Sequence, residues 1–352
     1  AGEILKDLLF KAYEMEVNVK FTPISTERYS NWVSMQGKNR YIITLLGRIL
    51  TAKQIAAVSR IIANQNLNID NMIRLTGRIP LDEEERAAKS CVELSVRGTP
   101  IDRQQMQQSF MELSSDLNFD ISFQEESMFR RMRRLICFDM DSTLIQTEVI
   151  DELAERAGVG EKVKAITESA MQGDIDFEES FKQRIKLLKG LDAAVLKEVA
   201  ENLPITEGLG RLMKVLQKVG FKTAILSGGF TYFGDYLKDK YGFDYMYANE
   251  LEIIDGKLTG NYLGDIVTGK KKAELLKLIA QVEKIDIRQT VAVGDGANDL
   301  PMLGIAGLGI AFHAKPKVIQ NARQSLSSVG IDGILYFLGY KDSMLDSEMV
   351  NT

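Results

Sequence analysis

The stretch Leu135-Ile136-Cys137-Phe138-Asp139-Met140-Asp141-Ser142-Thr143 decides the fold. Four apolar residues lead directly into two carboxylates, Asp139 and Asp141, which are followed by two hydroxyls. In an open α/β sheet, ligands bind outside the carboxyl ends of the parallel strands. The stretch therefore predicts a buried parallel strand with a metal and a nucleophile at its end.

Two later strands also end in polar residues. Residues 222–226 lead into Ser227-Gly228-Gly229, and residues 290–293 lead into Gly294-Asp295-Gly296-Ala297-Asn298-Asp299. Helical patterns alternate with these strands, and a hairpin is predicted at Asp255-Gly256. This alternation predicts a doubly wound, Rossmann-like parallel sheet, in which the polar strand ends meet at one crevice.

A helical insertion separates the first of these strands from the rest. Residues 148–157, 161–171, 176–188 and 193–200 have helical patterns without a strand between them. We expect them to form a helical cap over the sheet at about residues 148–206.

The order of elements before residue 128 differs. Residues 38–127 have the order βαββαβ of the ferredoxin-like split motif, an α+β fold. Residues 1–37 predict a helix and then a strand, which suggests part of an incomplete module of the same kind. The predicted division is therefore 1–37, 38–127 and 128–352.

Composition excludes several classes of function. With 44 Lys and Arg against 49 Asp and Glu, the chain has no basic surplus for binding nucleic acid. The single His313 excludes zinc sites and triads that need two imidazoles. No apolar run is long enough to cross a bilayer. Two cysteines without partner spacing suggest reduced thiols, and we expect a cytoplasmic protein.

Four arginines lie just before the central strand, and the C-terminal tail follows the last predicted element. We interpret Arg130, Arg131, Arg133 and Arg134 as solvated charges that pair with neighbours such as Glu125 and Glu126. The residues after Tyr340 have no readable pattern, and we expect no regular structure there.

The three polar strand ends together predict a phosphate site. Crowded carboxylates need a cation, and oxygen ligands without His or Cys favour Mg²⁺. Ser227, the amides of Gly228 and Gly229, and Lys272 can bind the phosphate oxygens. Asp139 can then attack phosphorus, while Asp141 gives a proton to the leaving oxygen and later takes one from water.

The cap provides a candidate for substrate recognition. Arg184 follows Phe177 by seven residues, about 20° away on the same apolar helix face at 100° per residue. A guanidinium there needs an anion, either in a structural salt bridge or in the carboxylate of a small substrate. Glu148 can bind the substrate's ammonium group, or can serve a helix start.

These motifs resemble the four signatures of haloacid dehalogenase-type phosphohydrolases. Residues 134–340 resemble the phosphoserine phosphatases in particular. The resemblance implies that Asp139 is the nucleophile, that Asp141 is the general acid and base, and that Mg²⁺ is bound by Asp139, the Asp141 backbone carbonyl and Asp295. Asn298 and Asp299 would support the metal site.

The same resemblance implies a substrate and partners. The phosphate of O-phospho-L-serine would be held by Ser227, Gly228 and Lys272, with Asn298 beside them. Its serine part would contact Glu148, Met171, Phe177 and Arg184. The products would be L-serine and phosphate, formed through an aspartyl-phosphate in the last step of serine biosynthesis. The N-terminal module resembles ACT-type domains, which implies a homodimer and L-serine or another amino acid as a candidate ligand.

Other functions fit the same residues. The enzyme could transfer the phosphoryl group to another acceptor, or act on another phospho-amino acid or a phosphoprotein. The chain could instead be an amino-acid sensor with a dormant phosphatase domain, although a dormant domain has no need of both Asp139 and Asp141. The ACT-like module could equally be a packing domain without a ligand.

Overall fold

The structure is a computed structural model that describes residues 2–17, 19–20, 24–27, 29–30, 39–77, 89–172, 174–322 and 324–349. The chain forms two compact units, residues 1–39 and residues 40–352. Each is described by itself.

The first unit contains the predicted helix, α1 (Gly2–Glu14). The strand expected to follow it is not formed at residues 17, 19 and 20, and the rest of that expected strand lies outside the described residues.

The second unit begins with a four-stranded antiparallel sheet. Its elements are β1 (Arg40–Gly47), α2 (Ala52–Asn64), β2 (Asn68–Arg74), β3 (Ser90–Arg97), α3 (Arg103–Leu117) and β4 (Asp120–Glu125). The strand order is β2-β3-β1-β4, and the apolar faces of both helices pack on one side of the sheet. The side chain of Thr51 caps α2 in a capping box with Gln54, and Asp102 caps α3. The α+β fold predicted for this part, here the four-stranded domain, is confirmed.

A parallel sheet forms the centre of the larger part, here the seven-stranded domain. Its strands are β5 (Leu135–Phe138), β6 (Lys222–Phe230), β7 (Tyr245–Ile254), β8 (Lys257–Leu263), β9 (Thr290–Gly294), β10 (Leu308–Phe312) and β11 (Gln324–Leu326). The order is β11-β10-β9-β5-β6-β7-β8, with parallel pairing except between β7 and β8. The doubly wound sheet and the hairpin are confirmed, and the three-residue β11 was too short to be recognised in the sequence.

Four helices form the cap that was expected at 148–206. They are α5 (Val149–Arg156), α6 (Gly160–Gln172), α7 (Phe177–Leu187) and α8 (Ala194–Glu201). The other helices of this domain are α9 (Leu209–Lys218), α10 (Thr231–Tyr241), α11 (Gly269–Val282), α12 (Leu300–Ile305), α13 (Pro316–Asn321), α14 (Ile334–Phe337) and α15 (Asp342–Met349). β5 and β9 are wholly buried and pair in parallel, so their polar carboxyl ends lie at the same edge of the sheet.

The arginine cluster at the junction differs from the expectation. A short helix, α4 (Met128–Arg131), links the two sheets. Arg131 is exposed and pairs with Glu126, as expected. Arg130 and Arg133 are instead 6% and 8% exposed, because both lie under the contact between the two domains. The interpretation as solvated charges is therefore wrong for these two arginines.

The C-terminal tail is also more ordered than expected. Helix α15 begins at Asp342, whose carboxylate accepts hydrogen bonds from Arg211 and Tyr336. The contact with Arg211 joins residues 131 positions apart in the chain, so the tail gave no local signal. Within the described part of the chain, none of the helices has the length and apolar character that crossing a membrane requires.

Candidate active site

The turn after β5 fixes the two central carboxylates. The amide of Asp139 donates to Val293 O of β9 at 2.9 Å, which holds Asp139 against the neighbouring strand. The carboxylate Oδ1 of Asp141 accepts from the amide of Val149, the first residue of the cap, at 3.1 Å. Ser142, directly after Asp141, has a φ of +55°, a left-handed conformation that makes the turn sharp. One carboxylate therefore belongs to the sheet, while the other is tied to the cap.

Lys272 links Asp139, which follows β5, to Asp299, which follows β9. Its ammonium is fully buried and lies 2.8 Å from both Asp139 Oδ1 and Asp299 Oδ1. Burial alone would lower the pKa of Lys272, but the two carboxylates raise it overall, so the amine remains charged. The ammonium thus lies directly beside the carboxylate of Asp139.

Three carboxylates converge on a site that fits a cation. Oxygens of Asp139, Asp295 and Asp299 lie within 4.8 Å of one another. Burial and the charge of Asp139 raise the pKa of Asp295 to about 7 and that of Asp299 to about 8. Like charges about 4 Å apart repel by ~4 kcal/mol at an effective dielectric constant of 20. A hard divalent cation would relieve this repulsion.

The turn formed by residues 227–229 at the end of β6, here called the phosphate turn after its predicted ligand, packs against these groups. The amide of Gly229 donates to Ser227 Oγ at 2.9 Å, and Ser227 is fully buried. A Cβ on Gly229 would lie 2.4 Å from Asp141 Oδ2, so the turn can approach Asp141 only because this residue is glycine. The 3₁₀ turn of residues 297–299 carries Asn298, which is half-buried.

An asparagine that sequence reasoning missed supports the phosphate turn. The side chain of Asn249, on β7, donates to Gly228 O and accepts from the amide of Val267, both at 2.8 Å. It lies in no recognisable motif, so only its burial in the fold reveals its role. Thr143 was quoted in the central stretch without a role, and its hydroxyl donates to Asp295 at 3.2 Å.

The cap brings two charged side chains to the mouth of the site. Glu148 Oε1 accepts from Ser142 Oγ at 2.8 Å, and burial raises the pKa of Glu148. Arg184 donates to Ser180 O at 3.3 Å. Burial lowers the pKa of Arg184, while the charges of Glu148 and Asp151 act against this. Arg184 forms no salt bridge within the described ranges, so the alternative of a structural salt bridge has no support there.

An aromatic side chain of the cap covers the phosphate turn. The Phe177 ring lies 3.0 Å from where a Cβ on Gly228 would stand, and it stacks on Phe181. The side chain of Met171 lies outside the described residues. The cap and the sheet edge therefore enclose the site from opposite sides, with Glu148, Phe177 and Arg184 on the cap.

The arrangement can do specific chemistry. The buried carboxylate of Asp139 lies beside the Lys272 ammonium and the candidate cation site. The carboxylate of Asp141 lies close to that of Asp139 in a different environment. Burial, followed by the charges of Glu148 and Asp139, raises the pKa of Asp141. A carboxyl group with a raised pKa can hold a proton near neutral pH and donate it. This is the arrangement needed for nucleophilic attack with separate acid catalysis.

Two family models match the chain. The haloacid dehalogenase-like hydrolase model matches residues 136–304, and an ACT domain model matches residues 40–124.

Curated relatives and solved structures cover most of it. A phosphoserine phosphatase of Streptomyces coelicolor is 40% identical over 304 residues, which are 86% of this chain and 72% of the relative. The crystal structure of a probable phosphoserine phosphatase from Vibrio cholerae, in an unliganded form, matches with a TM-score of 0.65 at 37% identity, covering 85% of this chain and 86% of that one. A substrate-bound phosphoserine phosphatase complex matches with a TM-score of 0.56 at 42% identity, covering 58% of this chain and 98% of that one.

Proposed function

Since the chain belongs to the phosphoserine phosphatase family of haloacid dehalogenase-like hydrolases, we propose that it hydrolyses O-phospho-L-serine to L-serine and phosphate. The observation that carries this proposal is that Asp139 lies beside both Lys272 and Asp295, while Arg184 and Glu148 reach the same site from the cap. The reaction would be the last step of serine biosynthesis.

Mg²⁺ is the proposed cofactor. Asp139, the backbone carbonyl of Asp141 and Asp295 would hold it, and Asp299 lies close enough to support the same site. When bound, Mg²⁺ would supply positive charge that offsets the repulsion between the carboxylate nucleophile and the phosphate dianion. The raised pKa values of Asp295 and Asp299 support this assignment, since they show that the buried carboxylates lack sufficient positive charge.

The proposed mechanism has two steps. Asp139 attacks phosphorus, and the bond between phosphorus and the serine oxygen breaks as an aspartyl-phosphate forms. Asp141 gives its proton to the leaving serine oxygen. In the second step Asp141 takes a proton from water, which attacks phosphorus and releases phosphate from Asp139.

Recognition of the substrate is divided between sheet and cap. Ser227, Gly228, Lys272 and Asn298 would surround the phosphate. Arg184 would bind the carboxylate, and Glu148 would bind the ammonium group. Phe177 and Met171 would contact the short carbon chain. The absence of a salt bridge to Arg184 among the described residues supports this role, since its guanidinium is half-buried without a fixed carboxylate partner.

The remaining proposals concern the whole chain. A boundary near residue 127 is supported by the end of β4 at Glu125 and by the ACT match to residues 40–124. We keep the expectation that residues 1–37 are part of an incomplete module. L-serine or another amino acid at the ACT-type domain, and a homodimer, rest on that domain's resemblance alone, and light scattering with and without L-serine tests both. Buried free thiols at Cys91 and Cys137 support a cytoplasmic location.

One assay tests the proposed function. Phosphate release is measured from free phosphoserine, phosphothreonine, phosphotyrosine and a phosphoserine peptide, with Mg²⁺ or with EDTA. We expect free phosphoserine to be the best substrate, EDTA to abolish turnover, and Asp139→Asn to lose at least about 10³-fold in activity. Preference for the peptide, or full activity of Asp139→Asn, would contradict the proposal.

A further inference from the structure

A cavity of about 670 Å³ lies between the four-stranded and the seven-stranded domains. Its walls come from α3 and β4 on one side, from the linker around α4, and from residues 304–309 on the other side. Residues 307–309 enter β10 at its amino end, whereas the active site lies at the carboxyl ends of β5 and β9. The cavity is therefore separate from the active site, at the opposite edge of the same sheet.

Arg133 is an unusual side chain in the wall of this cavity. It is 8% exposed, and it donates to Gln124 Oε1 at 2.9 Å and to Arg130 O at 3.4 Å. Its Nη1 atom has no hydrogen-bond partner in the described part of the chain. Burial, and then the charge of Arg130, lower the pKa of Arg133 to about 9. The buried cation thus lies next to another cation, and its known partners are neutral.

The carboxylates around the neighbouring Arg130 do not balance the charge of Arg133. Arg130 is 6% exposed and binds Glu93 at 2.9 Å. Glu126, which also pairs with Arg131, lies 3.9 Å from Arg130 Nη1. The Nε atom of Arg130 also has no partner among the described residues. Burying a guanidinium without a counter-ion costs several kcal/mol, so a site of this kind needs an anion.

The rest of the wall favours an organic ligand. The guanidinium of Arg103 lies 5.6 Å from the centre of the Phe123 ring, and that of Arg288 lies 3.9 Å from the centre of the Phe129 ring. Both rings line the cavity, and Glu125 is the lining carboxylate, already paired with Arg103. Of the four arginines that line the cavity, Arg103 pairs with Glu125, Arg130 with Glu93 and Arg288 with Asp286. Arg133 is therefore the lining arginine without a carboxylate partner among the described residues, and the two rings give the cavity apolar surface.

We propose that this cavity is a binding site for a small organic anion, whose carboxylate or phosphate group is held by the buried guanidinium of Arg133. The ligand's carbon skeleton would lie against Phe123 and Phe129, and Arg103 and Arg288 would close the rim. A ligand there would touch both domains at once and would stabilise their contact. The proposal does not depend on the proposed function, because none of these residues belongs to the active site.

Calorimetry on the full chain without metal tests the site, with malonate as the carboxylate probe and inorganic phosphate as the phosphate probe. For a carboxylate ligand, we expect wild-type protein to bind malonate, and Arg133→Met to lose this binding by on the order of 10–100-fold. For a phosphate ligand, we expect wild-type protein to bind phosphate and Arg133→Met to lose this binding by on the order of 10–100-fold, because without metal the carboxylates of the active site disfavour phosphate there.

Two further variants make the result decisive. Arg131→Met removes an exposed arginine of the same cluster and should bind both probes as wild type does. Arg103 lies on the exposed rim, and Arg103→Gln should weaken, about fivefold, the binding of whichever probe the wild type binds. This variant serves as the test if Arg133→Met does not fold. Unchanged binding of both probes to Arg133→Met, or to Arg103→Gln if only that variant folds, would overturn the proposal. So would the absence of binding of both probes to wild-type protein.

Discussion

At the scale of single residues, Lys272 shows how a charged side chain is made useful by burial. Its ammonium is fully buried, yet it stays charged because two carboxylates lie 2.8 Å away. Such an ammonium cannot rearrange toward water, so its charge remains fixed beside Asp139. Electrostatic stabilisation by fixed groups costs no reorganisation during the reaction.

The proposed role of Arg184 is to select phosphate esters that carry a carboxylate. We expect Arg184→Met to raise KM for phosphoserine by on the order of 10–100-fold, because a charge-assisted bond to the substrate carboxylate is lost. Turnover of 2-aminoethyl phosphate, which has no carboxylate, should change little. Steady-state kinetics with both substrates measures this difference.

Lys182→Met serves as the control, since it removes an exposed cation from the same helix. Equal loss for both substrates in Arg184→Met would show that the arginine supports the cap rather than the substrate.

Protonation of Asp295 should make Mg²⁺ binding depend on pH. Without metal, its pKa of about 7 lies above the ordinary 3.8, so the carboxyl stabilises the fold at low pH and this contribution is lost as pH rises through 7. Mg²⁺ needs the ionised form and must displace the proton below pH 7. We expect Mg²⁺ affinity to be at least about tenfold higher at pH 8 than at pH 5.5, measured by titration calorimetry. Equal affinity at the two pH values would contradict this.

At the scale of secondary-structure elements, the site depends on which strand ends are neighbours. β5 lies between β6 and β9, so the ends that carry Asp139, Ser227 and Asp295 are adjacent. The turn after β6 is further held by β7 through Asn249. A strand that carries no catalytic group therefore shapes the phosphate site.

Asn249→Ala should weaken both the fold and the site. Its side chain is 1% exposed, and its removal leaves Gly228 O and the Val267 amide without their partner. Each unsatisfied group costs about 1–3 kcal/mol, so we expect a loss of about 2–4 kcal/mol in the free energy of unfolding, measured with urea. KM for phosphoserine should rise as well, because Gly228 is released.

Asn261→Ala is the matched control, because Asn261 makes an exposed hydrogen bond to Glu252. A loss of stability as small as that of the control would mean that Asn249 does not hold the turn.

At the scale of the whole molecule, the two sheets are joined by polar contacts as well as by an apolar core, which takes in Leu46, Leu75 and Cys91 from the four-stranded domain. Asp120 accepts from the amides of Ser327 and Ser328 at 2.7 and 2.9 Å, and it is 2% exposed. The Gln324 side chain donates to Phe123 O at 2.6 Å and accepts from the Phe123 amide at 2.9 Å. Because satisfied buried networks are specific in geometry, these contacts fix how the domains meet.

Breaking this contact should separate the unfolding of the two domains. Asp120→Ala removes the acceptor of the Ser327 and Ser328 amides, and we expect the free energy of unfolding to fall by about 3 kcal/mol. Scanning calorimetry should then show two transitions where the wild type shows one. Asp116→Ala, an exposed change in the same domain, should keep the single transition. A single transition in Asp120→Ala would show that the domains are coupled elsewhere.

The sequence by itself determined the elements and the chemistry that they carry. The run from Leu135 to Thr143, the two later strand ends and the cap helices are local patterns, and local patterns follow from hydrophobic period and turn residues. They were enough to predict the parallel sheet, the cap, the α+β domain and the converging carboxylates. The resemblance to a known family then added the metal ligands and the residues that would hold the substrate.

Only the tertiary structure decided the features that depend on residues far apart in the chain. Asn249 supports Gly228, Asp342 anchors the C-terminal helix to Arg211, and Arg133 is buried between two domains. In the sequence alone, Arg130, Arg131, Arg133 and Arg134 read as one solvated cluster. Which of them is buried depends on what packs against it. That packing is set by the contact between the two sheets, which no local pattern encodes.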